Sequence, residues 1–365
     1  MEMNSYLKIV KKFNIEGICV ECKPLGTGHI NETLVVKSEQ SGRVFRYVLR
    51  KINKYVFKNP ELIIHNTLLV TRHLKNAMQK SGERNVDRKT LRLIETNEGE
   101  YSYIDDNGDY WCMMNFIENA YTVDKVDTKT QAYEAAKAFG KFQKYLADID
   151  LSKCYTTIED FHNLSKRLQN FDKAIEKDTA DRVKDISKEI DSVNKFRYIN
   201  ASYFEKIKSL PERITHNDTK INNVMLDKYT SEGLCVIDLD TVMPGKVLND
   251  FGDMVRTFTS GAPEDEKDLS CVFVRTDIFE AMCNGYLTEV KNILTGEEIE
   301  TLIFGAPIII FEQAVRFLTD YIEGDIYYKV KYEEHNLIRA RNQLALLKSV
   351  EKNFETMRRF VLEFR

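Results

Sequence analysis

The chain has 365 residues, 43% hydrophobic and 30% charged, which is long enough for two lobes sharing a cleft and has the composition of a folded rather than a disordered protein. Its 53 basic and 57 acidic side chains leave a formal charge of −4, so there is no global attraction to nucleic acid or to an anionic membrane surface. No uninterrupted apolar run approaches the roughly 18 residues that a spanning helix needs, and the longest, "TLIFGAPIIIF" (301–311), carries Gly and Pro.

"MEMNSYLKIVKKFN" (1–14) reads as an amphipathic helix with charges spread through it, not as a secretory leader with an apolar centre, and predicts a cytoplasmic protein. "ICVECKPLG" (18–26), "TLVVKSE" (33–39) and "VFRYVLRKI" (44–52) are short and β-rich, the last two joined by the turn former "EQSGR". "NPELIIHNTLLVTRHLKNAM" (59–78) predicts a helix with Asn59 as N-cap and Pro60 at its first position. Strands are expected again in "RKTLRLIETNEG" (88–99) and "YWCMMNFIE" (110–118), separated by the turn "DDNGD".

Past residue 118 the texture becomes helical, interrupted only by a short β excursion over 213–245. The 7 cysteines are odd in number and irregularly spaced. Cys19 and Cys22 form a CxxC on a strand with no second pair, which predicts buried thiols rather than a zinc site. The expected architecture is α+β: an N-terminal lobe, 1–117, of antiparallel sheet with one helix, and a larger, mainly helical lobe, 118–365.

The chemistry concentrates in "RITHNDTKINNVMLD" (213–227), where two short alternating segments flank a polar loop. Asp218 can point into a cleft, with His216 supporting the loop and Asn223 opening the next strand. Asp238 follows at the end of the apolar strand in "VIDLDT". One carboxylate beside a hydroxyl can accept its proton, and a second carboxylate with a carboxamide oxygen can hold a hard cation. These are the protein parts required for phosphoryl transfer from Mg²⁺-ATP to an alcohol.

His-x-Asp-x4-Asn followed by Ile-Asp-x-Asp resembles the motifs of the aminoglycoside and choline phosphotransferase superfamily, relatives of the protein kinases. "GTGHINETLVV", "YVLRKIN", "THNDTKINNVMLD", "IDLDTVMPG", "RFLTDYIEGDIYY" and "HNLIRARNQ" together resemble the N-acetylhexosamine 1-kinase group over nearly the whole chain. The resemblance implies a protein-kinase-like bilobal fold. It implies Asp218 as the base, His216 as its support, and Asn223 and Asp238 as magnesium ligands. Asp240 is left either touching the metal or standing behind it, and Lys220 either offsets phosphoryl charge or pairs with an acid.

On the nucleotide side Gly26 and Gly28 would bring backbone N–H groups to the phosphates of ATP. Arg50 or Lys51 would pair with phosphate; the residue after the apolar triplet, Arg50, is favoured. The acid expected on the following helix falls near His65, so either Glu61 replaces it or the cation is held differently. Backbone groups of Asn115, Phe116 and Ile117 would meet the adenine, covered by Met113, Met114 or Phe116.

His29, Arg316 and Tyr327 are the sugar contacts the resemblance implies, with Phe161 and His162 as further candidates. Arg316, in an apolar helix, requires a partner: Asp320 at i+4 or a ligand oxygen. Asp250 and Asp253 of "NDFGDMVR" read as supports of the catalytic loop. A small-molecule sugar is the expected partner, with the oligomeric state open, a monomer included.

Overall fold

The computed structural model describes residues 3–25 and 31–365, so Gly26, Gly28 and His29 lie outside the described residues. Helix α1 (Met3–Val10) precedes strands β1 (Ile18–Pro24), β2 (Glu32–Gln40) and β3 (Arg43–Lys51), then α2 (Pro60–Lys80), the short α3 (Val86–Lys89), β4 (Tyr103–Ile104) and β5 (Tyr110–Asn115). The five strands form one antiparallel sheet in the order β1-β2-β3-β5-β4. The β2–β3 hairpin closes through Ser41 and Gly42, both at positive φ (50° and 76°), the conformation that matches the twist of the flanking strands.

Period-two alternation divides the sheet's faces. Tyr47, Leu49, Trp111 and Met113 pack with Ile9, Val10 and Phe13 into a small core. Cys112 and Met114 point the other way, into the large core that continues through the helices. Arg50, between Leu49 and Lys51, lies on that second face and looks into the cleft.

One sequence expectation needs correction here. Residues 88–99 do not form a strand: Arg88 and Lys89 end α3, and the rest runs beside β5 with a single isolated bridge, Leu93 to Met114, where Ile94 N–H donates to Met113 O (2.8 Å) and Asn115 N–H to Arg92 O (3.0 Å). Asn59 is the N-cap of α2 and Pro60 its first residue, as expected, but the Asn59 side chain makes no capping bond among the described residues.

After β6 (Ala120–Tyr121) come α4 (Lys129–Tyr145), α5 (Leu164–Lys177), α6 (Ser187–Phe196) and α7 (Tyr198–Lys208). Strands β7 (Arg213–Thr215), β8 (Val224–Asp227), β9 (Gly233–Val236) and β10 (Met243–Gly245) follow. Then come α8 (Val247–Thr259), α9 (Thr276–Val290), α10 (Gly296–Thr301), α11 (Gly305–Glu323) and α12 (His335–Leu362). The 28 residues from Gly296 to Glu323 are apolar enough by composition to span a membrane, but 89% of their most apolar window is buried inside the protein, which makes this a core helix.

The small sheets exist to carry loops. β7 pairs with β10, and β8 lies between β6 and β9. The β7–β8 loop and the β9–β10 loop therefore emerge side by side beneath the large sheet. Helix α8 lies against α11 with almost no side-chain thickness between them: a Cβ on Gly252 would meet Gly305 O at 2.2 Å, and one on Gly305 would meet Leu248 O at 1.8 Å. That contact fixes how α11 sits relative to the loop after β7, which α8 supports from below.

Candidate active site

The loop after β7 is held from below by α8. The Asp250 carboxylate accepts the N–H groups of His216 (2.9 Å) and Asn217 (2.7 Å), and Asp250 O accepts the Thr219 hydroxyl (2.6 Å). Asn217 takes a left-handed conformation (φ 63°), tolerable for asparagine. His216 is fully buried, edge-on to Phe139 and Phe142. Its Nδ1 accepts Asp218 N–H (3.3 Å), so the ring proton sits on Nε2 and donates to Ile237 O (2.9 Å). His216 thus ties the Asp218 loop to the strand end that presents Asp238.

Asp218 Oδ1 pairs with Lys220 Nζ at 2.7 Å, and Oδ2 accepts from Asn223 Nδ2 at 3.0 Å. Burial alone pushes the Asp218 carboxyl up, but the Lys220 ammonium more than offsets this and holds it below the usual carboxylate range. Asn223 Nδ2 also donates to Asp218 O (2.8 Å). Both recorded bonds of that amide run through nitrogen, which leaves Oδ1 as the end available to a cation. Asp238, at φ 60°, and Asp240 supply carboxylates nearby. Two acids and a carboxamide suit a hard, oxygen-loving ion; among the described residues no group of three or more His, Cys, Asp or Glu side chains forms a metal site.

Arg50 bridges to this loop from the large sheet. Its guanidinium donates to Asp238 Oδ1 (2.6 Å) and Asp240 Oδ1 (2.8 Å), while Asn31 donates to Asp240 Oδ2 and accepts Asn53 N–H (2.8 Å). Burial pushes the Asp240 carboxyl up to about 6, neighbouring Asp238 adds to the rise, and Arg50 opposes it. Lys51 turns to the opposite face, pairing with Asp109 (2.5 Å) above Trp111. Arg50 is therefore the strand's cleft-facing cation.

No acid of α2 reaches Arg50. His65 bonds Lys153 O (2.8 Å) against Tyr155, and Glu61 is exposed. Ile63, Ile64 and Thr67 line the small gap beside the guanidinium instead. The expected helix partner is replaced by the two loop aspartates.

In the connector, Asn115 and Phe116 N–H groups are already taken by Arg92 O (3.0 Å) and Arg46 O (3.3 Å). Among the described residues Ile117 alone of the three leaves its N–H without a recorded partner. That narrows the expected backbone contact to the Ile117 N–H and the carbonyl oxygens.

A cavity of about 290 Å³ opens beside Asp218 and Lys220 and is also lined by Phe161, His162, Asp253, Glu312, Arg316 and Tyr327. Arg316 does not pair with Asp320, contrary to one of the two sequence expectations. Asp320 is fully engaged by the N–H groups of Tyr327 (2.7 Å) and Tyr328 (3.0 Å) and by Asn336 (2.8 Å). The Arg316 guanidinium sits instead among the rings of Phe161, Tyr327 and Tyr328 at 5.6, 5.9 and 5.6 Å, with Gln313 Oε1 (3.2 Å) as its polar contact. Asp253 pairs with Arg256 (2.8 Å), and Arg256 with Glu264 (2.7 Å).

His162 donates to Glu312 Oε1 (3.3 Å) and to Asn217 O (3.1 Å). Burial would depress its pKa, but the Glu312 carboxylate reverses this and holds it above the ordinary histidine value. Glu312, Asn31 and Arg256 escaped the sequence reading. Of the three, only Glu312 carried a signal: it is a lone acid closing the apolar run "GAPIIIFE".

Solved structures of known enzymes share this architecture. A spectinomycin phosphotransferase bound to ADP and spectinomycin superposes with a TM-score of 0.60 at 14% identity, over 98% of this chain and 99% of that one. The GDP complex of aminoglycoside 2′-phosphotransferase-IIIa gives 0.60 at 11% identity over 94% and 99%. Choline kinase from Cryptosporidium parvum Iowa II gives 0.57 at 15% identity over 97% of each chain. A model of the phosphotransferase enzyme family (APH) matches residues 21–269, more than half of the sequence, and the chain belongs to that family.

Proposed function

We propose that this phosphotransferase carries the γ-phosphoryl group of ATP to the anomeric hydroxyl of an N-acetylhexosamine, giving ADP and the sugar 1-phosphate. Residues 1–117 hold the nucleotide and residues 118–365 the acceptor. Gly26, Gly28 and Arg50 meet the phosphates, and Ile117 N–H meets the adenine. Asn223 and Asp238 would hold the metal, with Asp240 behind them, and bound magnesium would neutralise charge on the phosphate oxygens. Asp218 accepts the acceptor's hydroxyl proton as the new O–P bond forms and the bond to ADP breaks, and it then returns that proton to solvent. Lys220 keeps Asp218 ionised and lies where transferring charge can be offset.

The observation that carries the choice of acceptor is the state of the aromatic cluster. Phe161, Tyr327 and Tyr328 surround the protein's own Arg316 guanidinium. A cage that could stabilise an ammonium ligand is thus filled from within, and a cationic acceptor would meet like charge. Arg316 has no carboxylate partner among the described residues, so a neutral, oxygen-rich acceptor is the better match. His29 would complete the contacts from above.

Acceptor-dependent ADP release tests the reading, with N-acetylglucosamine, N-acetylgalactosamine, plain hexoses, choline, homoserine and an aminoglycoside. Turnover is expected on the N-acetyl sugars, with a 1-phosphate by phosphorus NMR and at least a thousandfold loss in Asp218→Asn. Turnover confined to choline, homoserine or the aminoglycoside would discard the sugar assignment.

A further inference from the structure

Helix α11 buries Glu312, a carboxylate that the catalytic scheme leaves unused. Glu312 is 1% exposed, in a helix whose preceding turns are Ile308, Ile309, Ile310 and Phe311. Its Oε1 meets His162, while its Oε2 is buried with no hydrogen-bond partner among the described residues. An unmatched carboxylate oxygen in such surroundings is costly. Arg316, one turn on, could have been its partner but contacts Gln313 instead. Glu312 also lines the cavity that contains Asp218. A side chain with only a structural duty toward His162 would need one oxygen, and a glutamine would serve.

We propose that Glu312 is an acceptor-recognition residue: Oε2 receives an O–H or N–H of the bound acceptor, while Oε1, through His162, links that contact to the Asn217 carbonyl beside Asp218. The inference deepens the sugar reading and rests on it for the nature of the donor, a ring hydroxyl or the N–H of an acetamido group. Recognition and base placement are then joined in one chain: acceptor, Glu312, His162, Asn217, Asp218. An acceptor lacking that donor would leave Oε2 unmatched in the closed site, which is the physical source of discrimination.

Glu312→Gln separates the two roles. The amide oxygen can still accept from His162, but the other terminal atom becomes a neutral donor: it opposes an acetamido N–H outright, and a hydroxyl must turn to accept from it and loses its bond to a charged oxygen. Calorimetry of the full chain with magnesium and ADP should show N-acetylhexosamine affinity reduced at least tenfold. The acceptor KM should rise by a similar factor, with ADP affinity within twofold of wild type and the melting temperature equal or higher. Glu312→Asp, which keeps both oxygens but withdraws them by one methylene, should fall between, and it carries the test if the glutamine variant does not bind ADP. Acceptor affinity and KM within twofold of wild type in the folded variants would overturn the proposal. If wild type binds only an amino alcohol, the sugar reading fails by itself. The same comparison on that alcohol then judges Glu312, with loss of its binding supporting the contact and no loss ending it.

Discussion

Asp218 has to remain a carboxylate in a site where burial favours the protonated acid, and Lys220 is what keeps it ionised. With Asp218 as the proposed base and its pKa depressed, the rate would depend on a deprotonated group that persists below the ordinary carboxylate range, so the acid limb of kcat/KM would lie low. Lys220→Met removes the ammonium and leaves burial, which acts in the opposite direction. The acid limb should therefore move to higher pH, and kcat near neutrality should fall roughly a hundredfold. The stability consequence has the same origin: a depressed carboxyl stabilises the fold above the unfolded value and ceases to do so as pH falls through the folded one. A pH–rate series on both proteins decides it, and superimposable acid limbs would remove Lys220 from this role. This residue cluster was legible because base, cation and carboxamide lie within six positions of one loop. Asn31, Arg256 and Glu312 were not, because each reaches the site from a remote element.

At the scale of elements, strands and helices were readable wherever period-two or helical spacing ran for several residues, as in the β2–β3 hairpin and α2. Residues 88–99 misled because their alternation reflects packing against β5, while only isolated bridges form. The glycine of "DFGD" likewise hid its reason, which is a backbone crossing rather than a turn. Gly252 and Gly305 let α8 and α11 touch, with Gly305's missing Cβ pointing at Leu248 O from 1.8 Å. Gly305→Ala should force the helices apart and cost about 3 kcal/mol. Because α8 presents Asp250 and α11 presents Glu312 and Arg316, acceptor KM should rise in any fraction that still folds. Equilibrium urea unfolding reads the first effect, and a loss under about 1 kcal/mol would mean the crossing is pliant.

Over the whole molecule, the large sheet and the helical part are joined by polar ties. Asn66 of α2 is buried and bonds Tyr155 O (2.7 Å), Val242 O (2.9 Å) and Tyr155 N–H (2.9 Å). Arg50 of β3 is another tie, and it is one that the proposed ligand binding must disturb. It lies 2.6 Å from Asp238, the carboxylate proposed to hold the metal, and 2.8 Å from Asp240 behind it. Side-chain exposure is 14% for Arg50, 9% for Asp240 and 39% for Asp238, so only part of this charge is shielded from water. Arg50→Ala leaves the carboxylates facing one another and should cost about 2 kcal/mol in the nucleotide-free protein, below the figure for fully buried pairs because Asp238 is solvated. The same variant frees Asp238 for a cation. Millimolar magnesium without nucleotide should raise the variant's melting temperature by several degrees more than that of wild type, where the guanidinium competes for Asp238. ADP affinity should fall in the variant if Arg50 meets the phosphates as proposed. A magnesium response equal in the two proteins would show that Arg50 does not compete with metal, and Asp238 would then have to bind it from a side the arginine leaves open.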